Sequence, residues 1–254
     1  MLNKIEAFIF DMDGVFYKGD EILPGASKII NHLKTKGVPF VFFTNNSRKT
    51  PINYISKLNK IGINVEIEKI ITSGTLAKEY IDSYFKNEKI KIYGSDALKE
   101  LFKKEQIAQD EDFNVVLVGM EGSLTLDNLS TIRTYASKDK QLIFTNPDKL
   151  IPTENGFNFE CGAMIELIKK YCKKEPIIIG KPSIFGFEYA IKKLNTNKQN
   201  IAMIGDTYDT DIQGAINIGI TPIHLQTSAN YSFNKNNLET YEFENLEELL
   251  KQIK

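Results

Sequence analysis

Residues 7–14 read Ala7-Phe8-Ile9-Phe10-Asp11-Met12-Asp13-Gly14. Four consecutive apolar residues predict a strand that is buried on both faces, because a half-exposed strand would alternate apolar and polar residues. Two aspartates and a glycine follow at the point where this strand must end. The stretch therefore predicts a buried strand of a parallel sheet with acidic residues at its carboxyl end.

Similar apolar runs recur along the chain, with helical patterns between them. Ile29, Ile30 and Leu33 follow the 3.6-residue period of a helix that packs on a sheet, and Thr50-Pro51 is a typical helix start. Alternating strands and helices predict an α/β fold with a doubly wound parallel sheet. The runs that we interpret as strands of this sheet are residues 7–10, 38–43, 69–72, 177–179, 201–204 and 222–225.

The middle of the chain repeats the strand and helix pattern on its own, so we expect a smaller α/β domain inserted into a larger one. The strands predicted for the insertion are residues 91–93, 115–118 and 142–144. Its predicted helices are residues 96–104, 126–137 and 163–172. The predicted division is residues 1–77 for the first part of the core, 78–177 for the insertion and 178–254 for the second part of the core.

The composition of the 254 residues is that of an ordinary globular protein, with 42% hydrophobic and 26% charged residues. A net charge of -1 provides no positive field, so we expect neither nucleic acid nor a membrane surface as a partner. Two cysteines, Cys161 and Cys172, are too few for a disulfide framework. They favour a cytoplasmic location, as does the first apolar stretch, which Asp11 ends too early for a signal peptide.

Polar side chains follow four of the predicted core strands. Ligands of a doubly wound sheet bind at the carboxyl ends of its strands, so we expect these side chains to converge there. Several carboxylates at one place repel one another, and Mg2+ relieves that repulsion. A carboxylate-bound cation beside amide and lysine donors is complementary to a phosphoryl group. The side chains are Asp11, Asp13, Thr44, Asn45, Asn46, Lys181, Asp206 and Asp211.

The spacing of Asp11 and Asp13 predicts separate roles in catalysis. Residues i and i+2 of an extended segment point to the same side, so one carboxylate can attack phosphorus while the other serves the leaving oxygen. Attack by an aspartate gives an aspartyl-phosphate, which water then hydrolyses. Gly14 allows a sharp turn and a close approach of the backbone to the phosphate. An isolated Asp-x-Asp-Gly is most often a turn, so the prediction depends on all four strand ends together.

These motifs resemble those of the haloacid dehalogenase-like (HAD) phosphatase superfamily, and specifically its NagD-like and 4-nitrophenylphosphatase-like branch. The resemblance covers nearly the whole chain. It implies that Asp11 is the nucleophile, that Asp13 is the general acid/base, and that Thr44 and Lys181 are the second-motif and phosphate-binding residues. It also implies that Mg2+ is held by the Asp11 carboxylate, the Asp13 carbonyl and Asp206, with Asp211 in support, and that Asn45 and Asn46 belong to the phosphate loop.

The motif intervals predict where the insertion lies. Asp11 and Thr44 are 33 residues apart, whereas Thr44 and Lys181 are 137 apart, which leaves room for an extra domain only in the second interval. Relatives with an insertion there resemble this chain and use it as an α/β cap of type C2 that closes over the site. Loops after cap strands are expected to select the substrate. The candidates are Met120, Glu121, Asp148 and Lys149.

Together these features predict a Mg2+-dependent phosphatase that acts through an aspartyl-phosphate. The expected partner is a small phosphate ester, such as a nucleoside monophosphate, a sugar phosphate, pyridoxal phosphate or 4-nitrophenyl phosphate, and the protein is a possible homodimer. One alternative is a phosphomutase, which needs a lid that retains a bisphosphate. The other is a non-catalytic phosphate-binding or regulatory protein, which has no need of Asp13.

Overall fold

The computed structural model describes residues 2–119, 125–153, 156–227 and 240–253. The strands are β1 (Ala7–Phe10), β2 (Tyr17–Lys18), β3 (Glu21–Ile22), β4 (Phe40–Thr44), β5 (Ile70–Thr72), β6 (Ile90–Tyr93), β7 (Val115–Val118), β8 (Gln141–Phe144), β9 (Leu150–Thr153), β10 (Gly156–Phe159), β11 (Ile177–Ile178), β12 (Ile201–Gly205), β13 (Thr221–Leu225) and β14 (Tyr241–Phe243). The α-helices are α1 (Ala26–Lys36), α2 (Pro51–Lys60), α3 (Ser73–Tyr84), α4 (Asp96–Lys99), α5 (Leu126–Ala136), α6 (Cys161–Ile168), α7 (Ile184–Leu194), α8 (Gln213–Ile218) and α9 (Leu246–Leu250). Within these ranges no helix combines the length and apolar character that crossing a membrane requires.

The larger sheet has six strands in the order β14-β13-β12-β1-β4-β5. β1 pairs in parallel with both β12 and β4, and β13 pairs in parallel with both β12 and β14. The strand order reverses direction at β1, which is the arrangement of a doubly wound sheet. β1 therefore lies at the centre of the sheet, and the carboxyl ends of its two neighbours lie beside the residues that follow Phe10.

Burial explains why the central strands form. All four residues of β1 and all five residues of β4 are buried, as the continuous apolar runs predict for strands covered on both faces. The inner face of α1 packs against the same core through Ile29, Ile30 and Leu33. The helix ends at Gly37, which takes the left-handed conformation at φ 68° that terminates helices.

The second sheet has four strands in the order β11-β8-β7-β6, and its described pairings are parallel. It has a hydrophobic core of its own, in which β7 and β8 pack with α5 and α6 through Val116, Ile132, Phe144 and Ile165. This part of the chain is thus a second α/β structure. The predicted fold class, a doubly wound parallel α/β sheet with an inserted smaller α/β structure, is confirmed.

By the packing of its residues the chain divides into two compact units. The first unit comprises Met1–Thr44, Pro51–Ile71 and Lys181–Lys254, and the second comprises Asn45–Thr50 and Thr72–Gly180. The loop that follows β4 therefore packs with the second unit, although the strand itself belongs to the first. The division of the sequence at residues 78 and 177 into domains stays a prediction.

One strand prediction is wrong. Residues 177–179 were expected in the core sheet, but β11 pairs with β8 in the second sheet, with Ile177 opposite Ile143 and Ile178 opposite Phe144. An apolar run of three residues does not specify its partner strand, because a run this short carries no pattern that distinguishes one sheet from the other. The backbone of Gly180 continues the ladder by donating to Thr145, and the chain enters the first unit at Lys181.

Candidate active site

The end of β1 positions the two predicted catalytic aspartates in different environments. The backbone N–H of Asp11 donates to the carbonyl oxygen of Ile204 at 2.8 Å, which extends the parallel ladder by one residue. The Asp11 side chain is buried, whereas the Asp13 side chain is 55% exposed. Gly14 follows at φ 80°, and a Cβ atom built on it would lie 1.8 Å from Oδ2 of Asp206. A glycine is therefore required there for the acidic loops to approach each other.

Lys181 lies between two of the predicted carboxylates. Its Nζ is 2.6 Å from Oδ1 of Asp11 and 2.6 Å from Oδ1 of Asp211, and all three side chains are buried. Asp206 completes the group, since carboxylate oxygens of Asp11, Asp206 and Asp211 all lie within 4.8 Å of one another. The structure thus brings together residues that are up to 200 positions apart in the sequence.

The charges of this cluster do not balance, because three carboxylates share one ammonium group. Burial raises the pKa of Asp11, the carboxylates of Asp211 and Asp206 raise it further, and Lys181 opposes them. Burial alone would lower the pKa of Lys181, but Asp11 and Asp211 outweigh burial and raise it, so the lysine stays charged. The cluster therefore keeps an excess of negative charge, and a bound cation would reduce it.

The donor set fits a small, hard divalent cation. Oxygen ligands from carboxylates are those that Mg2+ prefers. Two glycines give the acidic groups room, because a Cβ atom on Gly205 would lie 2.3 Å from the Asp211 side chain and one on Gly14 would overlap Asp206. The predicted metal-binding carboxylates of Asp11, Asp206 and Asp211 are thus close enough to share one ion.

A second layer of side chains, which the sequence did not indicate, supports the loop of Asp206. This loop passes into a π-helical turn, Tyr208–Ile212, a conformation that is frequent at functional sites. Nε2 of the buried His224 is 3.2 Å from the carbonyl oxygen of Asp206, and the rings of His224 and Tyr208 are 4.3 Å apart. The Tyr208 hydroxyl donates to Glu242 at 2.6 Å. The residues in contact are up to 34 positions apart in the sequence, so local sequence patterns do not predict these contacts.

The loop after β4 carries the predicted phosphate-loop residues and packs within the second unit. The Asn45 side chain donates to Oδ2 of Asp148 at 3.1 Å. The backbone carbonyl oxygen of Asn45 accepts hydrogen bonds from the side chains of Ser73 at 2.5 Å and Asn146 at 3.2 Å. The Asn46 side chain accepts from the backbone N–H of Arg48 at 2.8 Å, which fixes the turn. Asn45 and Asp148 are therefore direct neighbours, although they were predicted for different roles.

The second unit also contains a buried ion pair that the sequence did not predict. Arg48 donates to Oε1 of Glu160 at 2.8 Å, and the Glu160 side chain is 1% exposed. Burial raises the pKa of Glu160 to about 7, because desolvation outweighs the attraction of Arg48 and the Asp148 carboxylate also raises it. Glu160 stands just before Cys161 at the start of α6, where the N–H groups of a helix attract negative charge.

The remaining predicted residues are placed as follows. Thr44 is buried at the end of β4, and Lys149 is exposed with its Nζ 3.9 Å from Glu166. Met120 and Glu121 lie outside the described residues. The roles assigned to all of these side chains stay predictions. The residues of the first unit that the structure brings together are Asp11, Gly14, Lys181, Asp206 and Asp211.

Comparison with known proteins places this site in a family. The family described as haloacid dehalogenase-like hydrolase matches residues 8–108, and a HAD-hydrolase-like family matches residues 178–245. The acid sugar phosphatase of Staphylococcus saprophyticus is 32% identical over 260 residues, which cover 99% of this chain and 99% of the relative. That of Staphylococcus aureus is 32% identical over 257 residues, again with 99% of both chains covered.

Solved structures agree with this placement. A 4-nitrophenylphosphatase from Thermotoga maritima has a TM-score of 0.89 and 33% sequence identity, and the match covers 100% of this chain and 99% of that one. A structure described as a putative nagD protein has a TM-score of 0.88 and 31% identity, with 100% and 99% of the two chains covered. The chain belongs to the haloacid dehalogenase-like hydrolase family. Within that family, the predicted NagD-like and 4-nitrophenylphosphatase-like branch is confirmed, and so is the prediction of a HAD-type phosphatase.

Proposed function

We propose that this protein is a Mg2+-dependent phosphatase that hydrolyses small phosphomonoesters through an aspartyl-phosphate. The observation that carries the proposal is the cluster around Lys181, where three carboxylates lie within 4.8 Å of one another and two of them contact one buried ammonium group. Such a cluster destabilises the folded protein, because the desolvation of each buried charge is offset only when it has a partner of opposite charge. Its excess negative charge suits a cation that in turn binds a phosphate.

The residues divide the reaction between them. The carboxylate form of Asp11, which Lys181 stabilises, attacks phosphorus and forms the acyl phosphate bond as the ester oxygen leaves. Asp13 gives its proton to that oxygen and then accepts a proton from the water that hydrolyses the aspartyl-phosphate. Lys181 lies close enough to Asp11 to contact the transferring phosphoryl oxygens as well. When bound, Mg2+ supplies positive charge to the phosphoryl oxygens, and Asp11, Asp206 and Asp211 would hold it together with the Asp13 carbonyl.

The substrate class that we propose first is a sugar phosphate. The staphylococcal relatives are acid sugar phosphatases, and the Thermotoga maritima structure is a 4-nitrophenylphosphatase. We place substrate selection at Asp148 and Lys149, beside the loop of Asn45. The two cysteines form no disulfide, which supports a reducing, cytoplasmic location. A homodimer stays a prediction.

The test is the release of 4-nitrophenol from 4-nitrophenyl phosphate in the presence and absence of Mg2+. We expect activity that is lost with a chelator and restored by Mg2+. Asp11→Asn should lower kcat by at least about 10³-fold, because the amide cannot serve as the nucleophile. Asp20→Asn is the matched control, since it removes an exposed carboxylate from the same part of the chain.

Two results would contradict the proposal. Activity that persists without divalent cations would rule out the metal, and activity that survives Asp11→Asn would rule out the aspartyl-phosphate. A panel of sugar phosphates, nucleoside monophosphates and pyridoxal phosphate, compared by kcat/KM, would then rank the natural substrate classes.

A further inference from the structure

The environment of Asp13 raises the question of how this side chain is held in place. A general acid must lie within hydrogen-bond reach of the oxygen that receives its proton. Asp11 is fixed by burial and by Lys181, but the Asp13 side chain is 55% exposed. An exposed carboxylate has several rotamers of similar energy, so a charged neighbour that favours one of them affects how Asp13 is presented.

A lysine of helix α2 provides such a contact. Nζ of Lys57 lies 3.9 Å from Oδ1 of Asp13, and the lysine side chain is only 21% exposed. The same Nζ lies 3.4 Å from the centre of the Tyr17 ring, over its face. An ammonium group over an aromatic face is held by the ring's negative quadrupole, and this attraction increases when water is largely excluded. Lys57 is therefore a partly buried cation with a defined position beside Asp13.

The aromatic platform under Lys57 is tied to the same turn as Asp13. Tyr17 is buried, and its carbonyl oxygen accepts a hydrogen bond from the N–H of Gly14 at 2.8 Å. An isolated bridge also joins the backbones of Asp13 and Tyr17. Motion of the turn would thus carry the Tyr17 ring with it. The backbone thus links the ring and Asp13, and the ammonium group of Lys57 contacts both.

Helix α2 presents a second tyrosine on the same face as Lys57. Tyr54 is three residues earlier, so both side chains point to one side of the helix. Burial raises the pKa of Tyr54 and of Tyr17, and the Asp13 carboxylate raises both further. Both phenols therefore stay neutral. Lys57 supplies the positive charge on this side of Asp13.

We propose that Lys57 is a positioning residue for Asp13, which orients the carboxyl group toward the leaving oxygen and stabilises the carboxylate that forms when the proton is transferred. The inference rests on the proposed function, in which Asp13 is the general acid. The bond between phosphorus and the ester oxygen breaks, the proton moves from Asp13 to that oxygen, and the negative charge left on Asp13 faces the ammonium group. The contribution of Lys57 to the rate should therefore be larger when the leaving oxygen is more basic.

The test compares two substrates that differ in their need for a proton. Glycerol phosphate releases a strongly basic alkoxide, whereas 4-nitrophenyl phosphate releases a stable phenolate. We expect Lys57→Met to lower kcat/KM about tenfold or more with glycerol phosphate and less than about threefold with 4-nitrophenyl phosphate. Lys57→Arg keeps the charge and stacks on an aromatic ring, so it should restore most of the difference. Lys60→Met, which removes an exposed lysine from the same helix, should change neither rate.

Asp13→Asn is the reference variant for Lys57→Met. It should lower kcat/KM more with glycerol phosphate than with 4-nitrophenyl phosphate, and its loss with glycerol phosphate should exceed that of Lys57→Met. Equal losses on both esters for Lys57→Met, especially as a higher KM, would assign Lys57 to phosphate binding and overturn the inference. No loss on either ester would overturn it as well. If Asp13→Asn affected both esters equally, the general acid role would fail and the inference with it. The proposed phosphatase is judged separately, by Asp11→Asn, and thermal melting of each variant identifies a loss of fold.

Discussion

Two buried groups of charges in this molecule differ in their balance. In the first unit the carboxylates of Asp11, Asp206 and Asp211 cluster, and Lys181 contacts two of them, whereas in the second unit Arg48 pairs with Glu160. Each group combines buried side chains with one that is partly exposed, Asp206 in the first and Arg48 in the second, so burial does not distinguish them. The ratio of negative to positive charge does, since it is three to one in the first group and one to one in the second. An excess of like charge, rather than burial itself, is what indicates chemistry here.

The largest expected effect is the loss of the lysine from the unbalanced group. Lys181→Met leaves the buried carboxylates of Asp11 and Asp211, and the half-buried carboxylate of Asp206, without a cation. We therefore expect the free energy of unfolding to fall by about 3 to 5 kcal/mol at pH 7 without metal. If Lys181 binds the phosphoryl oxygens as proposed, the activity should also fall by at least about 10²-fold. Urea unfolding and 4-nitrophenyl phosphate hydrolysis measure the two effects.

The balanced pair provides the control for that prediction. Arg48→Met leaves one carboxylate, which can take up a proton, so its loss of stability should shrink at pH 6. If Arg48→Met lowered the free energy of unfolding at pH 6 as much as Lys181→Met, the difference in charge balance would have no effect on stability. An unchanged stability of Lys181→Met would contradict the expected effect of charge balance as well.

A smaller effect is the pH dependence that Glu160 gives to stability. Its pKa is raised from 4.5 to about 7 in the folded protein, so the folded state binds the proton more tightly than the unfolded state. The resulting stability is fully present below pH 4.5 and is lost as the pH rises through 7, by up to about 3 kcal/mol. Glu160→Gln cannot titrate, so its stability should vary less over this range. Denaturant titrations at pH 5 and pH 8 measure the difference.

Glu166→Gln is the control for this change, because Glu166 is an exposed glutamate on the same helix. It should leave the pH dependence of wild type unchanged, because a solvent-exposed ion pair contributes little to stability. If Glu160→Gln kept the full wild-type pH dependence, the Arg48–Glu160 pair would not be its source.

The smallest expected effect is stabilisation by metal. Mg2+ at about 30 times its Kd should add about 2 kcal/mol to the free energy of unfolding, which corresponds to a rise in Tm of about 5 °C. Asp206→Asn removes one carboxylate and should abolish this rise, and its metal-free Tm should exceed that of wild type because a repulsion is relieved. Differential scanning fluorimetry measures both, and Glu160→Gln should keep the rise. A rise that persists in Asp206→Asn would place the ion elsewhere.

The sequence predicted the unbalanced group because strand order is a strong constraint. Asp11 and Asp206 follow the buried strands β1 and β12, which pair in parallel, so their carboxyl ends meet at one edge of the sheet. Lys181 lies 170 residues from Asp11 and follows β11 of the second sheet, so the order of the core strands does not explain its place in the group. The residues of each strand end were identified from local patterns alone. The sequence did not predict which members of the group contact each other, such as Lys181 with both Asp11 and Asp211.

The balanced pair could not be predicted in the same way. Arg48 and Glu160 are 112 residues apart, and neither follows a strand at a position that the sheet topology specifies. The same limit applies to His224 and Tyr208, whose rings meet only after the first unit has folded. It also explains the wrong sheet for residues 177–179, because a short apolar run is equally compatible with either sheet.

The loop after β4 has a consequence for how such proteins can be recombined. Residues 45–50 pack with the second unit, through the hydrogen bonds of Asn45 to Ser73 and Asn146 and the ion pair of Arg48. A chimaera that exchanged residues 72–180 alone for those of a relative would leave these partners behind. The second unit is thus discontinuous in the sequence, and a successful exchange must transfer residues 45–50 together with residues 72–180.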